Sequence, residues 1–197
     1  MKKYIKNIIY RLLAALPSSA ILMLHNITDD AKLKKHIFLS NDKFVLMVDS
    51  FQNWMPLEKV IERPSIKGIS LTFDDGFEDV YLIAYPYLKS KNIPFTVFVT
   101  VDKLDTEGYL TTEQLRELSN DPLCTVGAHC YHHLPLAKLS AEDQKMELYE
   151  SKRVIEEKIG QPVLFMAFPY GSYNKVTLQI LKQTKAYKAS CIVGRGF

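Results

Sequence analysis

Short apolar runs alternate with amphipathic stretches along this chain. AILML (20–24), GISLTF (68–73), FTVFVT (95–100), CTVGA (124–128), VLFMAF (163–168) and KASCIV (188–193) are apolar on both faces of an extended backbone, the pattern of buried strands. Between them, FEDVYLIAYPYLKSK, TTEQLRELS and SAEDQKMELYESKRVIEEKIG repeat apolar positions at helical spacing. The last opens at Ser140 and stops before Gly160, as a capped helix does. Strand-then-helix units predict parallel strands with crossover helices, in an α/β barrel or a doubly wound sheet. Both architectures gather their chemistry at the C-terminal ends of the strands.

Ahead of the first strand, Ile5, Ile8, Ile9, Leu12, Leu13 and Ala15 form an apolar stripe with Lys2, Lys3, Lys6 and Arg11 available for the other face. This predicts an amphipathic helix over 1–19 followed by one globular domain over 20–197. The favoured reading packs that helix on the domain's own surface, and peripheral contact with anionic lipid is the alternative. Lys6 and Arg11 interrupt the stripe before a signal-peptide core develops, and no apolar run reaches the about 18 residues of a membrane span. Three cysteines without a CxxC pair point to a reducing compartment, hence to a cytoplasmic or membrane-peripheral rather than a secreted protein. The net charge of +3 is spread among 22 acidic residues and argues against a nucleic-acid partner. Phe51, Trp54 and Met55 are expected in the core, and Asp29, Asp30 and His36 in a solvated loop.

The polar residues fall where the architecture predicts. ILML runs into His25, ISLTF into Asp74 and Asp75, CTVGA into His129, and FMAF into PYGSYN. His129 and His133 are four residues apart, a spacing that one helical turn would place on a single face, as zinc ligands require, with His132 turned elsewhere. Two adjacent carboxylates at a strand end repel unless cations or donors hold them. Turn chemistry accounts for one aspartate before Gly76; a division of labour, one ligating a metal and its neighbour acting as a general base, accounts for both.

TFDDG, then GAHCYHHLPL, then FPYGSYN resemble, in order, the motifs of the NodB-type polysaccharide deacetylases, carbohydrate esterase family four. The resemblance implies a distorted (β/α) barrel of about seven parallel strands, a divalent metal with zinc the expected ion, and removal of acetyl groups from N-acetylated glycans. It makes Asp74 the general base, Asp75, His129 and His133 the metal ligands, and the Tyr170 N–H an oxyanion donor, with Pro169 shaping the groove wall. Cys130 stands where the family usually has Ser or Thr, and Ala167 where many members have an arginine that holds the catalytic aspartate. No histidine follows His133. ILMLHNIT is similar to the first strand of the permuted poly-N-acetylglucosamine deacetylase branch, in which the general-acid histidine comes first, and this makes His25 that acid. Two other readings stay open: a catalytically impaired glycan-binding member of the fold, and a cytoplasmic deacetylase of a small lipid- or nucleotide-linked sugar.

Overall fold

The computed structural model describes residues 19–28 and 38–192. The predicted helix over 1–19 and the loop residues Asp29, Asp30 and His36 lie outside them, apart from Ser19 at the helix's predicted end. The strands are β1 (Ala20–Leu24), β2 (Asn26–Ile27), β3 (Phe38–Leu39), β4 (Ile69–Phe73), β5 (Phe95–Val99), β6 (Cys124–Ala128), β7 (Phe165–Ala167) and β8 (Ala189–Cys191). The α-helices are α1 (Asn41–Ser50), α2 (Leu57–Glu62), α3 (Tyr85–Ser90), α4 (Thr112–Asn120), α5 (Ala141–Ile159) and α6 (Lys175–Thr184).

Among the described residues six strands form one all-parallel sheet in the order β1-β4-β5-β6-β7-β8, in keeping with the expected barrel of about seven, while β2 and β3 pair separately. Register aligns the C-terminal ends: Leu24 pairs with Phe73, Phe73 with Val97, Val99 with Ala128, and Ala167 with Cys191. The residues just past these positions therefore share one rim.

Alternation along the strands separates two cores. Leu71, Phe73, Val97, Val99, Val126 and Met166 face the helices in the larger core. Phe98, Phe165 and Ala167 face inward and meet Leu57 of α2, with Ile61, Ala189 and Cys191 packed around them. One small cluster drawn from β5, β7, β8 and α2 requires the sheet to curl into a half-barrel, and a cavity of ≈ 400 Å³ lies within the curl, lined by residues including Ile21, Met23, Thr72, Asp74, Phe98 and Cys191. Gly127 makes room for this interior: a Cβ there would lie 2.4 Å from the Phe98 ring.

Local signals set the helices. Ser140 caps α5 by accepting the Asp143 N–H, and Gly160 ends it in the left-handed region at φ 70°. Thr111 and Gln114 form a capping box on α4. A single π-helical turn, Val80–Ala84, joins the loop after β4 to α3.

Candidate metal centre

Asp74 and Asp75 diverge because the chain turns between them. Asp74 continues the inward alternation of Ser70 and Thr72 and is 3% exposed. Asp75 (φ 74°) and Gly76 (φ 80°) then both adopt left-handed backbone, which swings the second carboxylate away from the first. Val99 packs where a Cβ on Gly76 would sit, at 3.0 Å, so the turn is held against β5. The Leu110 N–H bonds the Gly76 carbonyl at 2.9 Å, and the Phe77 and Tyr109 rings stack 4.8 Å apart.

His129 and His133 do meet, by a route other than a helical turn. Residues after β6 form a loop in which Cys130 (φ 64°) and His133 (φ 55°) are left-handed, and the two rings close to 4.8 Å between centroids. Left-handed residues break a helix, so the four-residue spacing works here through loop geometry. Asp75, Cys130, His133 and Tyr170 are four of the eight non-glycine described residues at positive φ, a concentration of backbone strain expected of a functional site.

The ligand atoms of Asp75, His129 and His133 lie within 4.8 Å of one another. Asp75 Oδ1 is 3.1 Å from His133 Nε2 and 3.4 Å from His129 Nε2. His129, 2% exposed, directs Nδ1 at the Ala167 carbonyl 2.9 Å away; that bond places the ring proton on Nδ1 and leaves the Nε2 lone pair facing Asp75. Asp75 Oδ1 is buried without a hydrogen-bond partner, so lone pairs converge on a point that no donor fills. Such a donor set fits a divalent cation bound by two imidazoles and one carboxylate.

The electrostatics agree. Burial is the largest influence on Asp75 and pulls its pKa upward, yet when the two imidazoles are protonated on the nitrogens that face it they outweigh burial and hold the carboxyl well below the ordinary range, the part that a cation takes when the same nitrogens present lone pairs. Burial likewise works to lower His129, and Asp75, Asp74 and the Ala167 carbonyl together raise it. The trio attracts positive charge. Asp74 goes the other way: burial raises it, opposed by His129, His25 and His133 and aided by Asp75.

His25 follows β1 beside Asp74, since the Asp74 N–H bonds the Leu24 carbonyl at 2.9 Å, and its charge reaches Asp74. It stands apart from the three-residue cluster. Pro169 is buried, whereas Tyr170 is 69% exposed, left-handed at φ 58°, with its ring 4.7 Å from that of His133. Cys130 is fully buried and burial pushes its thiol far up, so it fills space rather than reacting.

Three contributors escape a reading of the sequence. The Ala167 carbonyl acts through the backbone, which residue type conceals. Glu147, 15 residues beyond His132, is 1% exposed and bonds the ligand loop. Asp79 accepts the Ile27 N–H at 2.5 Å and so ties β2, next to His25, to the segment after β4. The position of Asp79 three residues past Gly76 of the DDG motif is the one available signal.

A half-barrel with an Asp/His/His cluster on its rim defines a class, and comparison with known proteins agrees: the family described as Polysaccharide deacetylase matches residues 62–189. The chain belongs to that family and has its NodB-type distorted barrel. It is 30% identical over 171 residues to the Bacillus subtilis (strain 168) protein named "Putative polysaccharide deacetylase YxkH", covering 83% of this chain and 61% of that one. It is 25% identical over 130 residues to the poly-beta-1,6-N-acetyl-D-glucosamine N-deacetylase of Staphylococcus aureus (strain MSSA476), covering 59% of this chain and 45% of that one. The chain thus spans about half to three fifths of the length of these relatives. The structure of the Streptococcus pyogenes deacetylase PplD in complex with acetate superposes with a TM-score of 0.81 at 27% identity, covering 91% of this chain and 85% of that one.

Proposed function

We propose that this chain is a metal-dependent N-deacetylase that hydrolyses the acetamide of N-acetylglucosamine units in a polysaccharide or oligosaccharide. The observation that carries the proposal is the convergence of Asp75, His129 and His133 within 4.8 Å beside a buried Asp74. Zinc, the ion this donor set suits best, would supply a Lewis acid for the amide carbonyl and a water acidified toward neutrality.

The chain's own residues carry the protons. Asp74, more basic than a solvated aspartate because it is buried, takes a proton from the attacking water as its oxygen bonds to the carbonyl carbon. The Tyr170 N–H faces the oxyanion, a donor whose loss typically costs about 10²–10³ in rate. When the C–N bond breaks, protonated His25 gives its proton to the amine, which otherwise leaves poorly. The products are acetate and a glucosamine unit. Metal analysis of the purified protein, with acetate release from β-1,6- and β-1,4-linked N-acetylglucosamine oligomers, tests the reading. Stoichiometric divalent metal with acetate release supports it; neither metal nor acetate refutes it.

A second reading has its own observation. Asp74 Oδ1 is buried with no partner, and Ala167 stands where family members have an arginine to hold that aspartate. A protein that binds these oligomers and metal yet frees no acetate would be a glycan-binding member with an impaired base.

A further inference from the structure

We infer that Glu147, in the middle of α5, is the positioning residue that shapes the metal-ligand loop; this deepens the metal-centre reading and rests on it. Between His129 and His133 lie three residues, and one carboxylate grips two of them. Glu147 Oε2 accepts the Tyr131 N–H at 2.8 Å and the His132 N–H at 2.9 Å, and Oε1 lies 2.6 Å from His132 Nδ1. From the opposite side the Val101 and Asp102 N–H groups bond the Cys130 and Tyr131 carbonyls at 3.4 and 3.0 Å.

A glutamate that is 1% exposed on the buried face of an amphipathic helix is costly unless donors satisfy it. Here the donors are two consecutive backbone N–H groups and an imidazole, all from the segment bounded by the two ligands. Cys130 and His133 hold left-handed backbone on either side of that grip, conformations that persist only where surroundings impose them. Residues that orient metal ligands from behind typically change affinity 10–100-fold when altered. His132, though adjacent to a ligand, points at Glu147 rather than at the cation cluster.

The test is competition of the full chain with a chromogenic chelator for Zn²⁺ and Co²⁺, beside metal-free thermal midpoints. Glu147→Met keeps the volume and removes every acceptor; Glu147→Gln keeps one acceptor oxygen. The Met variant is expected to bind both ions about 10–100-fold more weakly and to shift the Co²⁺ visible spectrum, and the Gln variant to recover part of that loss. Val48→Ala in α1 lowers the midpoint and leaves affinity unchanged, separating positioning from general stability. Wild-type affinity and spectrum in whichever of the two Glu147 variants folds overturns the inference. Absence of metal binding in the wild type would instead sink the metal-centre reading itself.

Discussion

The two sides of this site are built to different standards. On the ligand side, the loop bearing His129 and His133 is gripped by Glu147 and by β5's following turn, and His129 is locked onto the Ala167 carbonyl. On the base side, Asp74 Oδ1, Ser70 Oγ and Thr96 Oγ1 are buried without hydrogen-bond partners, and a cavity of ≈ 400 Å³ adjoins Asp74. Satisfied buried networks fix geometry, whereas orphaned polar groups hold free energy in reserve. The histidine loop is thus fixed by its own hydrogen bonds, whereas Asp75 Oδ1, like Asp74 Oδ1, is left to complete its bonding with whatever cation, water or substrate the proposed reaction brings.

That contrast predicts opposite costs for neighbouring residues. Asp75→Ala removes the only carboxylate of the cluster and should abolish stoichiometric metal and acetate release together, measured by metal analysis and acetate assay. Asp74→Asn should keep wild-type metal content while turnover falls by about 10²–10⁴, and its melting midpoint should hold or rise because a buried unpaired charge is gone. If Asp74→Asn loses metal as Asp75→Ala does, the two carboxylates share one task and the comparison breaks.

His25→Ala comes next in size. It should retain metal and lose about 10²-fold in turnover on sugar amides while sparing an activated acetyl ester, whose leaving group needs no proton. Equal losses on both substrates would remove His25 from the acid role.

Much of this was legible because the central strands β4, β5 and β7 are buried on both faces and β6 nearly so: all six runs picked out by apolarity contain the strands of the main sheet, and AILML and CTVGA are β1 and β6 residue for residue. The capped α5 was equally plain, since Ser140 and Gly160 act locally. Helices α1 and α6 and the β2–β3 pair went unread. The side chains of Asp75, His129 and His133 were foreseeable from type and order. Their manner of approach was not, because spacing alone does not distinguish a helical turn from a loop with left-handed Cys130 and His133. Glu147 was hidden for a related reason: along α5 it reads as one more acidic position, and only the fold brings it to residues 131 and 132.

The interior offers a test of the scaffold beneath both sides. Gly127→Ala would press a methyl onto the Phe98 ring and the Phe165 carbonyl, so it should destabilise by about 1–3 kcal/mol in urea unfolding. Restoration by Phe98→Leu in the same background would assign the loss to that contact. Stability equal to the wild type would mean that the half-barrel interior is loosely filled and that the cavity absorbs the strain.

Asp79 sharpens the comparison at its mildest point, because it belongs to the base side through β2. Burial raises its pKa to about 7 against an ordinary 3.8, with Glu78 adding and the Ile27 and Val80 N–H groups opposing. The native state therefore keeps a proton that the unfolded chain releases between about pH 4 and 7. Native protein binding the greater number of protons means that stability falls as pH rises through that window and is lowest above it. Asp79→Asn keeps an acceptor for the Ile27 N–H and removes the ionisation, so the variant should match the wild type near pH 4 and exceed it by on the order of 1–3 kcal/mol at pH 8. Urea midpoints of both proteins in chelator at the two pH values measure the difference, and the chelator removes the metal's own pH dependence from the comparison. Parallel pH profiles would mean that Asp79 ionises freely in the fold, and that the strand next to His25 is held as firmly as the histidine loop across the rim.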